Sequence, residues 1–425
     1  MHIKQETIQH NFNGFWKYVH QFSFLKDLHN LASNENKTGH QVIKTFFIGH
    51  ILRYPNTNAI FESQKMKKVT KKIFHKSFDV DTARYHLSKV EKEHNNQDLR
   101  DIMNHFVSNL SKKKILQKTN TYTCQNGVKL IPIGVDGSES FRTYNKQKIE
   151  KLENKACTGH TKSEDTDNLY AKHFCSYLVT LIGKTKLILG FEVAGKQESD
   201  QSKNDCEKNL FIKLISNLRK ATKINNFIIV GDSMYLDKNR MLECINNHMH
   251  FLFTLKDNCP SLISEFWCKA NLFHIKFKEY TIKVGRTNHH IAARRIICTE
   301  TLSNHLLYVC QFIDLETNES EFVVSDLDLP ISDVYYLKHK RWEEENAFNY
   351  LTKYYNINHN FILDAKNLTT LLQVMAYNFT ILYLTYYLKT LIIINGQPSL
   401  IETIDVIKDS LFRMKKYKLL NLNSS

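Results

Sequence analysis

Two carboxylates, Asp136 and Asp232, each follow a short apolar segment, Ile131–Val135 and 228–231. Each segment predicts a buried strand with a carboxylate at its C-terminal tip, where open α/β sheets bind ligands. Such a pair would repel unless a cation lay between them, and Mg²⁺, with Mn²⁺ as substitute, suits carboxylate and phosphate oxygens. Metal ions of this kind promote phosphodiester cleavage. The alternative is two ordinary turns, because Asp-Gly and Gly-Asp are common turn pairs.

A third group of carboxylates, Glu343–Glu345, falls in a segment with helical periodicity. Trp342 and Phe348 would dock this helix on the sheet and leave one carboxylate aimed at a metal. Arg341 and Lys353 would then reach phosphates from the same face of the helix. The alternative is a surface helix with a solvated acidic patch.

The surrounding periodicity predicts the order β, β, β, α, β, α, β from residue 129 to residue 257, which describes a mixed sheet flanked by helices. The segments Phe174–Ile182 and Lys186–Val193 predict a hairpin, and 204–220 an amphipathic helix. Residues 273–327 alternate apolar and polar side chains, which predicts a β-rich insertion. Helix returns at Ser332, a candidate N-cap, and continues to Tyr355.

The net charge of +15 and the pI near 9.2 favour a polyanionic partner, and nucleic acid is the usual one. Residues 1–120 carry twice as many Lys and Arg as Asp and Glu. A basic helix is predicted from Gln64 to His75, and a second helix near Asp81, with Asp81 as its N-cap. The two helices fit either a helix-turn-helix module or an ordinary bundle with a solvated basic face. The basic side chains of the first helix are Lys65, Lys67, Lys68, Lys71 and Lys72.

Nine cysteines in a chain of 425 residues show no pairing pattern, which predicts a reducing compartment. The polar start of the chain predicts no signal peptide. The longest apolar stretch, 371–394, contains Gln373, Asn378 and Lys389, so a buried core helix is expected rather than a membrane span.

A further set of metal-ligand types is Cys157-x-x-His160 with His173-x-Cys175. These residues are a candidate Zn²⁺ site, although the spacing is not that of a standard zinc finger and incidental Cys and His in a loop are the favoured alternative. Lys256, at the tip of the predicted strand 250–255, is a candidate DNA contact.

Taken together, the motifs Gly-Val-Asp136-Gly, Val-Gly-Asp232-Ser and Arg341-Trp-x-x-Glu345-Asn resemble the DDE transposases of bacterial insertion sequences. The similarity extends through 136–141, 201–207 and 356–367 and covers roughly residues 44–390. It implies an RNase H-like catalytic domain with a β-rich insertion before the glutamate. The expected domains are a basic helical DNA-binding domain at 1–118, the first part of the catalytic core at 119–272, the insertion at 273–330, and the C-terminal helices of the core at 331–425.

The resemblance implies that Asp136, Asp232 and Glu345 bind the catalytic metal and that Arg341 binds transposon-end phosphates. This chain departs from the family pattern at three positions. Thr352 stands where the family has its lysine, with Lys353 adjacent, and Lys338 stands at the family's tyrosine. Glu344 replaces a usual aliphatic residue, so the third ligand is Glu345 or Glu344.

The resemblance further implies hydrolysis at transposon ends followed by attack of the freed 3′-hydroxyl on target DNA. The expected partners are double-stranded DNA, as terminal inverted repeats and as target, and a second copy of the chain on that DNA. The expected location is a prokaryotic cytoplasm, at the nucleoid. Three alternatives remain open: a catalytically inactive or domesticated DNA-binding copy, an RNase H-like nuclease without strand transfer, and a basic scaffold protein.

Overall fold

A computed structural model describes the protein over most of its length. The described residues are 15–16, 19, 21–32, 36–94, 96–152, 157–163, 166–183, 186–194, 203–299, 302, 305–359, 361–384 and 400–413. The helices are α1 Phe24–Leu31, α2 Lys37–Ile51, α3 Thr57–Glu62, α4 Gln64–Phe74, α5 Val80–Glu93, α6 Asn96–Lys112, α7 Ile115–Thr119, α8 Lys146–Leu152, α9 Lys203–Ala221, α10 Lys238–Asn246, α11 Pro260–Leu272, α12 Ile331–Lys340, α13 Trp342–Tyr355, α14 Lys366–Leu382 and α15 Leu400–Arg413. The strands are β1 Tyr122–Thr123, β2 Lys129–Thr143, β3 Cys157–Ser163, β4 Thr166–Thr180, β5 Ile188–Val193, β6 Phe227–Gly231, β7 His250–Leu255, β8 Lys278–Val284, β9 Thr287–Cys298, β10 Leu307–Asp314 and β11 Ser320–Ser325.

The core of the fold is a mixed sheet in the order β5-β4-β2-β6-β7. The first three of these strands in the chain, β2, β4 and β5, pair antiparallel, whereas β6 and β7 join β2 in parallel. Helix α9 connects β5 to β6 and α10 connects β6 to β7. The predicted α/β class with an RNase H-like mixed sheet flanked by helices is confirmed.

Strand β2 is longer than the sequence predicted. The Asp136-Gly137 pair suggested that the strand ends there, but β2 continues to Thr143 because it stays paired with β4, where Asp136 faces Tyr177. Only the parallel pairing with β6 stops early, at Gly134. Asp136 therefore lies just beyond the point where β2 and β6 part, and not at the tip of its strand.

The β-rich insertion continues the core sheet. Strands β8 to β11 pair antiparallel in chain order, and β11 then pairs antiparallel with β7, from Phe322 opposite Leu255 to Ser325 opposite Leu252. One continuous sheet thus runs through core and insertion.

The N-terminal helices share a hydrophobic core with the sheet. One cluster of buried side chains extends from Phe15 through the helices α1 to α7 into β2, β4, β6 and α14. Phe379 of α14 lies at its centre, with ring centroids 5.3 to 6.3 Å from Phe24, Phe47 and other rings of the N-terminal helices. The predicted boundary near residue 118 marks the change from helix to sheet, but not a break in the core.

Every residue of α14 is buried, including its polar ones. Asn378 exchanges two hydrogen bonds with the backbone of Ile188, at 2.9 and 2.8 Å, and so pairs an edge of β5. Gln373 donates to the carbonyl groups of Tyr355 and Asn356 at the end of α13. Its polar side chains thus satisfy buried backbone groups, as a core helix requires. Within the described residues, no helix has the length and apolarity to span a bilayer.

Two predicted helix starts are wrong. Helix α5 begins at Val80, because Asp79 and not Asp81 accepts the N–H of Thr82, at 2.7 Å. The predicted helix from Ser332 is two helices, since α12 starts at Ile331 and ends before Arg341, where α13 takes over.

Candidate functional site

Strands β2 and β6 bring Asp136 and Asp232 to the same region of the sheet. Asp232 follows β6 directly and caps the short 3₁₀ helix Ser233–Tyr235, accepting the N–H of Met234 at 2.9 Å. Asp136 accepts the N–H of Gly137 at 2.8 Å. Both aspartates are half-buried, and the buried apolar strands before them fix their backbone. The prediction that these two residues come together is consistent with this arrangement.

The third carboxylate at this position is Glu344, not Glu345. Ala347, Leu351 and Tyr355 form the buried stripe of α13, and Glu344 lies on it, one turn before Ala347. Glu345 lies about 100° further around the helix and is exposed. The structure therefore does not bring the predicted Glu345 to the aspartates.

Glu344 is a buried carboxylate that is only partly satisfied. Its Oε1 accepts a hydrogen bond from Arg341 Nη1 at 2.8 Å, whereas its buried Oε2 has no hydrogen-bond partner among the described residues. Burial, followed by the negative charge of Asp136, raises the pKa of Glu344 well above its usual range, and Arg341 opposes this shift. A buried carboxylate oxygen that is ionised beside two aspartates is costly unless a proton or a bound cation neutralises it.

A fourth carboxylate, Glu207 of α9, belongs to the same site and was not predicted. Glu207 is buried, and so is the phenol of Tyr235, whose hydroxyl has no hydrogen-bond partner in the part of the chain that the structure describes. Burial, followed by the negative charge of Glu207 and then by those of Asp136, Asp232 and Glu344, raises the pKa of Tyr235 well above its usual range. All four carboxylates thus act on one buried phenol.

Two glycines of β2 make room for the two buried glutamates. A Cβ at Gly134 would overlap Glu344 Oε2, and a Cβ at Gly137 would overlap Glu207 Oε1. The glutamate carboxylates therefore lie directly against the backbone on either side of Asp136, at close approaches that only glycine allows.

The donor chemistry of this site fits a hard divalent cation. All four donors are carboxylates, which suit Mg²⁺ or Mn²⁺, and Glu344 Oε2 is buried with no partner from the described segments. Among the described residues, no three His, Cys, Asp or Glu side chains converge on one point as a ready metal cage. Mg²⁺ commonly binds through one or two carboxylates, with water and substrate phosphate completing its shell, and this arrangement allows such binding.

The predicted phosphate-binding residues lie at different distances from the carboxylate site. Arg341 lies at the site, but its guanidinium is paired with Glu344. Lys256 is exposed. It lies near Asp232, since Asn258, two residues further along the chain, donates a hydrogen bond to the carbonyl of Ser233. Lys353 is exposed beside the ring of Tyr354, nine residues beyond Glu344 and thus about 13 Å along the helix. Lys353 is therefore outside the carboxylate site.

Trp342 does not dock α13 on the sheet as predicted, since 64% of it is exposed. Phe348 does contribute to docking, with its ring centroid 5.3 Å from that of Tyr177 on β4.

The lysines of α4 lie on the solvent side of the helix, because Met66, Val69 and Thr70 take the buried side. Lys67 pairs with Glu62 at 2.5 Å. The other four are exposed: Lys65, Lys68, Lys71 and Lys72. This exposed basic face is compatible with both interpretations of the segment, a helix-turn-helix module and an ordinary helical bundle.

The zinc candidates are only partly described. His173 and Cys175 are buried in β4, where His173 Nε2 lies 3.0 Å from Asn367 Oδ1 and Cys175 Sγ lies 3.7 Å from His173 Nδ1. The backbone register pairs Cys157 with Lys172 and His160 with Leu169. The side chains of Cys157 and His160 lie outside the described residues, and a zinc site here stays a prediction.

The same sequence signal locates both buried glutamates. Glu207 precedes the stripe Leu210, Leu214 and Leu218 by three residues, and Glu344 precedes Ala347 by three. An acidic residue one turn before a buried stripe lies on the face that packs against the sheet.

No protein-family model matches the chain, and no curated protein matches it. A solved structure of a piggyBac transposase synaptic complex with hairpin DNA is similar to this chain, with 9% sequence identity, coverage of 93% of this chain and 80% of that chain, and a TM-score of 0.49. The function is therefore inferred from the residues of this chain.

Proposed function

We propose that the protein is a DNA transposase that cleaves and joins phosphodiester bonds with divalent metal held by Asp136, Asp232 and Glu344. The observation that carries the proposal is the buried, partly unsatisfied carboxylate of Glu344, which faces two aspartates on adjacent parallel strands of an RNase H-like sheet. Bound Mg²⁺ would supply activation of the attacking oxygen and stabilisation of the leaving oxygen.

The protein's own groups would orient the reactants. The N-cap hydrogen bond holds the carboxylate of Asp232, and the strand pairing with β4 holds the backbone of Asp136, which would limit their movement when substrate binds. Arg341 keeps one oxygen of Glu344 in place and leaves the other directed at the site. Lys256 lies exposed near Asp232, where a substrate phosphate would pass.

Double-stranded DNA is the proposed partner, as terminal inverted repeats and as target, and two copies of the chain would act together on it. The net charge of +15 and the exposed lysines of α4 support a polyanionic partner. The likeness of the motifs to bacterial insertion sequences adds the expectation that the gene lies between inverted repeats, in a prokaryotic cell.

A cleavage assay on DNA carrying the element's ends, with Mg²⁺ or Mn²⁺, tests the proposal. We expect Glu344→Gln, Asp136→Asn and Asp232→Asn to reduce cleavage at least a hundredfold. Glu345→Gln is the matched control, because Glu345 is its exposed neighbour on the same helix. If Glu345→Gln abolished cleavage and Glu344→Gln did not, the assignment of the third carboxylate would be overturned.

The products separate the transposase from its rivals. A transposase yields DNA in which the cut 3′ end is joined to target, whereas a nuclease of the same fold yields cut ends alone. An inactive copy would bind the ends without any metal-dependent cleavage.

Salt dependence tests the DNA contacts separately from the chemistry. Replacing Lys68 and Lys71 by Ala should weaken DNA binding and lower the slope of log affinity against log salt by about 1 to 2, since roughly 0.9 counterion is released per phosphate contact. Lys118→Ala and Lys148→Ala remove other lysines and serve as charge-matched controls. An equal loss in both double variants would exclude a specific role for α4.

A further inference from the structure

Strand β8, Lys278–Val284, forms the outer edge of the sheet at the end of the insertion. It pairs with β9 on one side, and none of the other described strands pairs with it on the opposite side. The pairing with β9 runs the whole length of β8 without a register shift, so no bulge interrupts this edge. A regular edge strand of seven residues can accept a further strand.

The turn after β8 determines which of its backbone groups face outward. Gly285-Arg286 is a two-residue turn with Gly285 at φ 63°, the glycine position of a type II′ hairpin turn. The pair that closes such a hairpin is hydrogen-bonded, and hydrogen-bonded and non-hydrogen-bonded pairs then alternate along the ladder. The residues whose N–H and C=O groups point away from β9 are therefore Glu279, Thr281 and Lys283.

Two observations agree with this assignment. Thr281 Oγ1 lies 3.1 Å from His290 Nδ1 on β9, and such close side chains are typical of a non-hydrogen-bonded pair. In the part of the chain that the structure describes, no backbone group from outside β8 and β9 forms a hydrogen bond with Glu279, Thr281 or Lys283. These outward groups are thus open to another strand.

The sequence of β8 is complementary to itself when two copies run antiparallel about Thr281. Glu279 of one copy then lies opposite Lys283 of the second copy, and two-fold symmetry produces this ion pair twice. Tyr280 lies opposite Ile282, an aromatic side chain against a β-branched one, and the two Thr281 residues face each other. Because the outward-facing residues meet one another in this register, their free backbone groups are all paired.

The register about Thr281 is favoured over its neighbours. Centring the pair on Tyr280 or Ile282 would separate Glu279 from Lys283 and lose both ion pairs. The apolar face of β8, which packs with α12, and its exposed polar face each continue across the junction, since opposite residues of an antiparallel pair point to the same side.

Lys283 makes this edge selective. An exposed lysine on an edge strand disfavours pairing with other chains. In the pair with a second copy, Glu279 offsets its charge, whereas a strand without an acidic residue at that position leaves Lys283 unpaired. The edge therefore favours a second copy of this chain over an unrelated strand.

We propose that β8 is the surface through which two copies of this chain associate, by antiparallel pairing about Thr281 that joins their sheets into one. The interface is isologous and closes as a dimer, because each copy presents a single β8. The inference does not rest on the carboxylate chemistry, since the pairing requires neither metal nor DNA.

Sedimentation equilibrium of the full-length chain, without DNA or metal, tests the proposal. We expect the mass of wild type to rise with concentration from 50.0 kDa toward twice that value. Thr281→Pro removes an outward N–H and leaves the hydrogen bonds to β9 in place, so association should weaken at least about tenfold. Thr281→Val is the matched control, because it keeps the N–H and should associate like wild type. Circular dichroism checks that both variants are folded.

Charge exchange tests whether Glu279 and Lys283 meet across the junction. Glu279→Lys alone and Lys283→Glu alone each replace both ion pairs by like charges, so the association of either variant with itself should weaken about tenfold. An equimolar mixture of the two variants has opposite charges in both pairs, and its mixed dimer should form as tightly as the wild-type dimer.

The outcomes are distinct. Wild type that stays at 50.0 kDa up to its solubility limit would overturn the proposal, and reduced DNA affinity of Lys283→Glu in that case would make the edge a DNA contact instead. A dimer that Thr281→Pro leaves equally tight would place the interface elsewhere. A mixture that associates no better than either charge variant alone would exclude pairing about Thr281. None of these results depends on the cleavage assay of Asp136→Asn, which tests the carboxylate site alone.

Discussion

Gly134 controls how closely Glu344 approaches β2, and substituting it gives a sharp test of the site. A Cβ at this position would overlap Glu344 Oε2 and lie 3.2 Å from Glu344 Cδ and 2.7 Å from Leu181 Cδ2. The tip of Leu181 can rotate away, but the Glu344 carboxylate is confined by burial and by Arg341. Overpacking of this kind costs about 1 to 3 kcal/mol, and we expect Gly134→Ala to lower the free energy of unfolding by that amount.

A double-mutant cycle assigns the penalty to Glu344. In a Glu344→Ala background the overlapping atoms are gone, so Gly134→Ala should cost about 1 to 2 kcal/mol less than it does in wild type. Urea denaturation followed by circular dichroism measures all four proteins. The matched control is Gly190→Ala on β5, where a new Cβ would meet Leu214 Cδ2 at 3.4 Å, an ordinary contact. It should show no coupling to Glu344.

The same substitution should impair metal binding as well, because the displaced Glu344 carboxylate no longer faces the aspartates. Equal penalties for Gly134→Ala with and without the Glu344 carboxylate would refute the placement of this side chain against β2. Normal metal-dependent cleavage by Gly134→Ala would refute its role as a ligand.

Three further predictions concern buried ionisable side chains away from the site. Burial lowers the pKa of His50 to about 3, so His50 is neutral in the folded protein. Its contribution to the free energy of unfolding, up to about 5 kcal/mol, is therefore complete above pH 6.5 and is lost as the pH falls toward 3. His50→Gln should flatten the pH dependence of urea unfolding between these two pH values, and an unchanged profile would contradict this. Arg100→Met should cost about 3 to 5 kcal/mol, since it leaves the buried Glu192 carboxylate without its cationic partner and with the hydrogen bond from Asn217, and adding Glu192→Gln should restore most of it; no restoration would argue against the ion pair. Glu91→Gln should cost about 1 to 3 kcal/mol, since Glu91 accepts two backbone N–H groups at the start of α14, and a thermal shift below about 1 °C would exclude this cap.

The periodicity of the sequence was sufficient to predict the class of sheet, because each short apolar run predicts a buried strand. It also led to the expectation that Asp136 and Asp232 lie close together, and the parallel pairing of β2 with β6 is consistent with that expectation. It could not predict that β2 continues past Asp136, since that depends on pairing with β4, a partner some forty residues away. The joining of the insertion to the core through β7 and β11 is likewise a long-range pairing without a local signal.

The choice between Glu344 and Glu345 was predictable in principle. The family pattern pointed to Glu345, whereas the buried stripe of α13 selects Glu344. A motif match identifies a site residue correctly only if the helical periodicity places that residue on the face that packs against the sheet. The helix phase of α9 likewise selects Glu207, because the leucine stripe that begins at Leu210 is visible in the sequence alone.

The central position of α14 has a consequence for synthesis of the protein. The rings of Phe22, Phe47 and Phe106 pack on Phe379, which is made long after them. At about 5–20 residues per second, the ribosome needs on the order of 10 to 60 s to reach this helix. The N-terminal helices must therefore remain uncovered during most of translation, and a product that stops short of α14 exposes their aromatic side chains to chaperones and proteases.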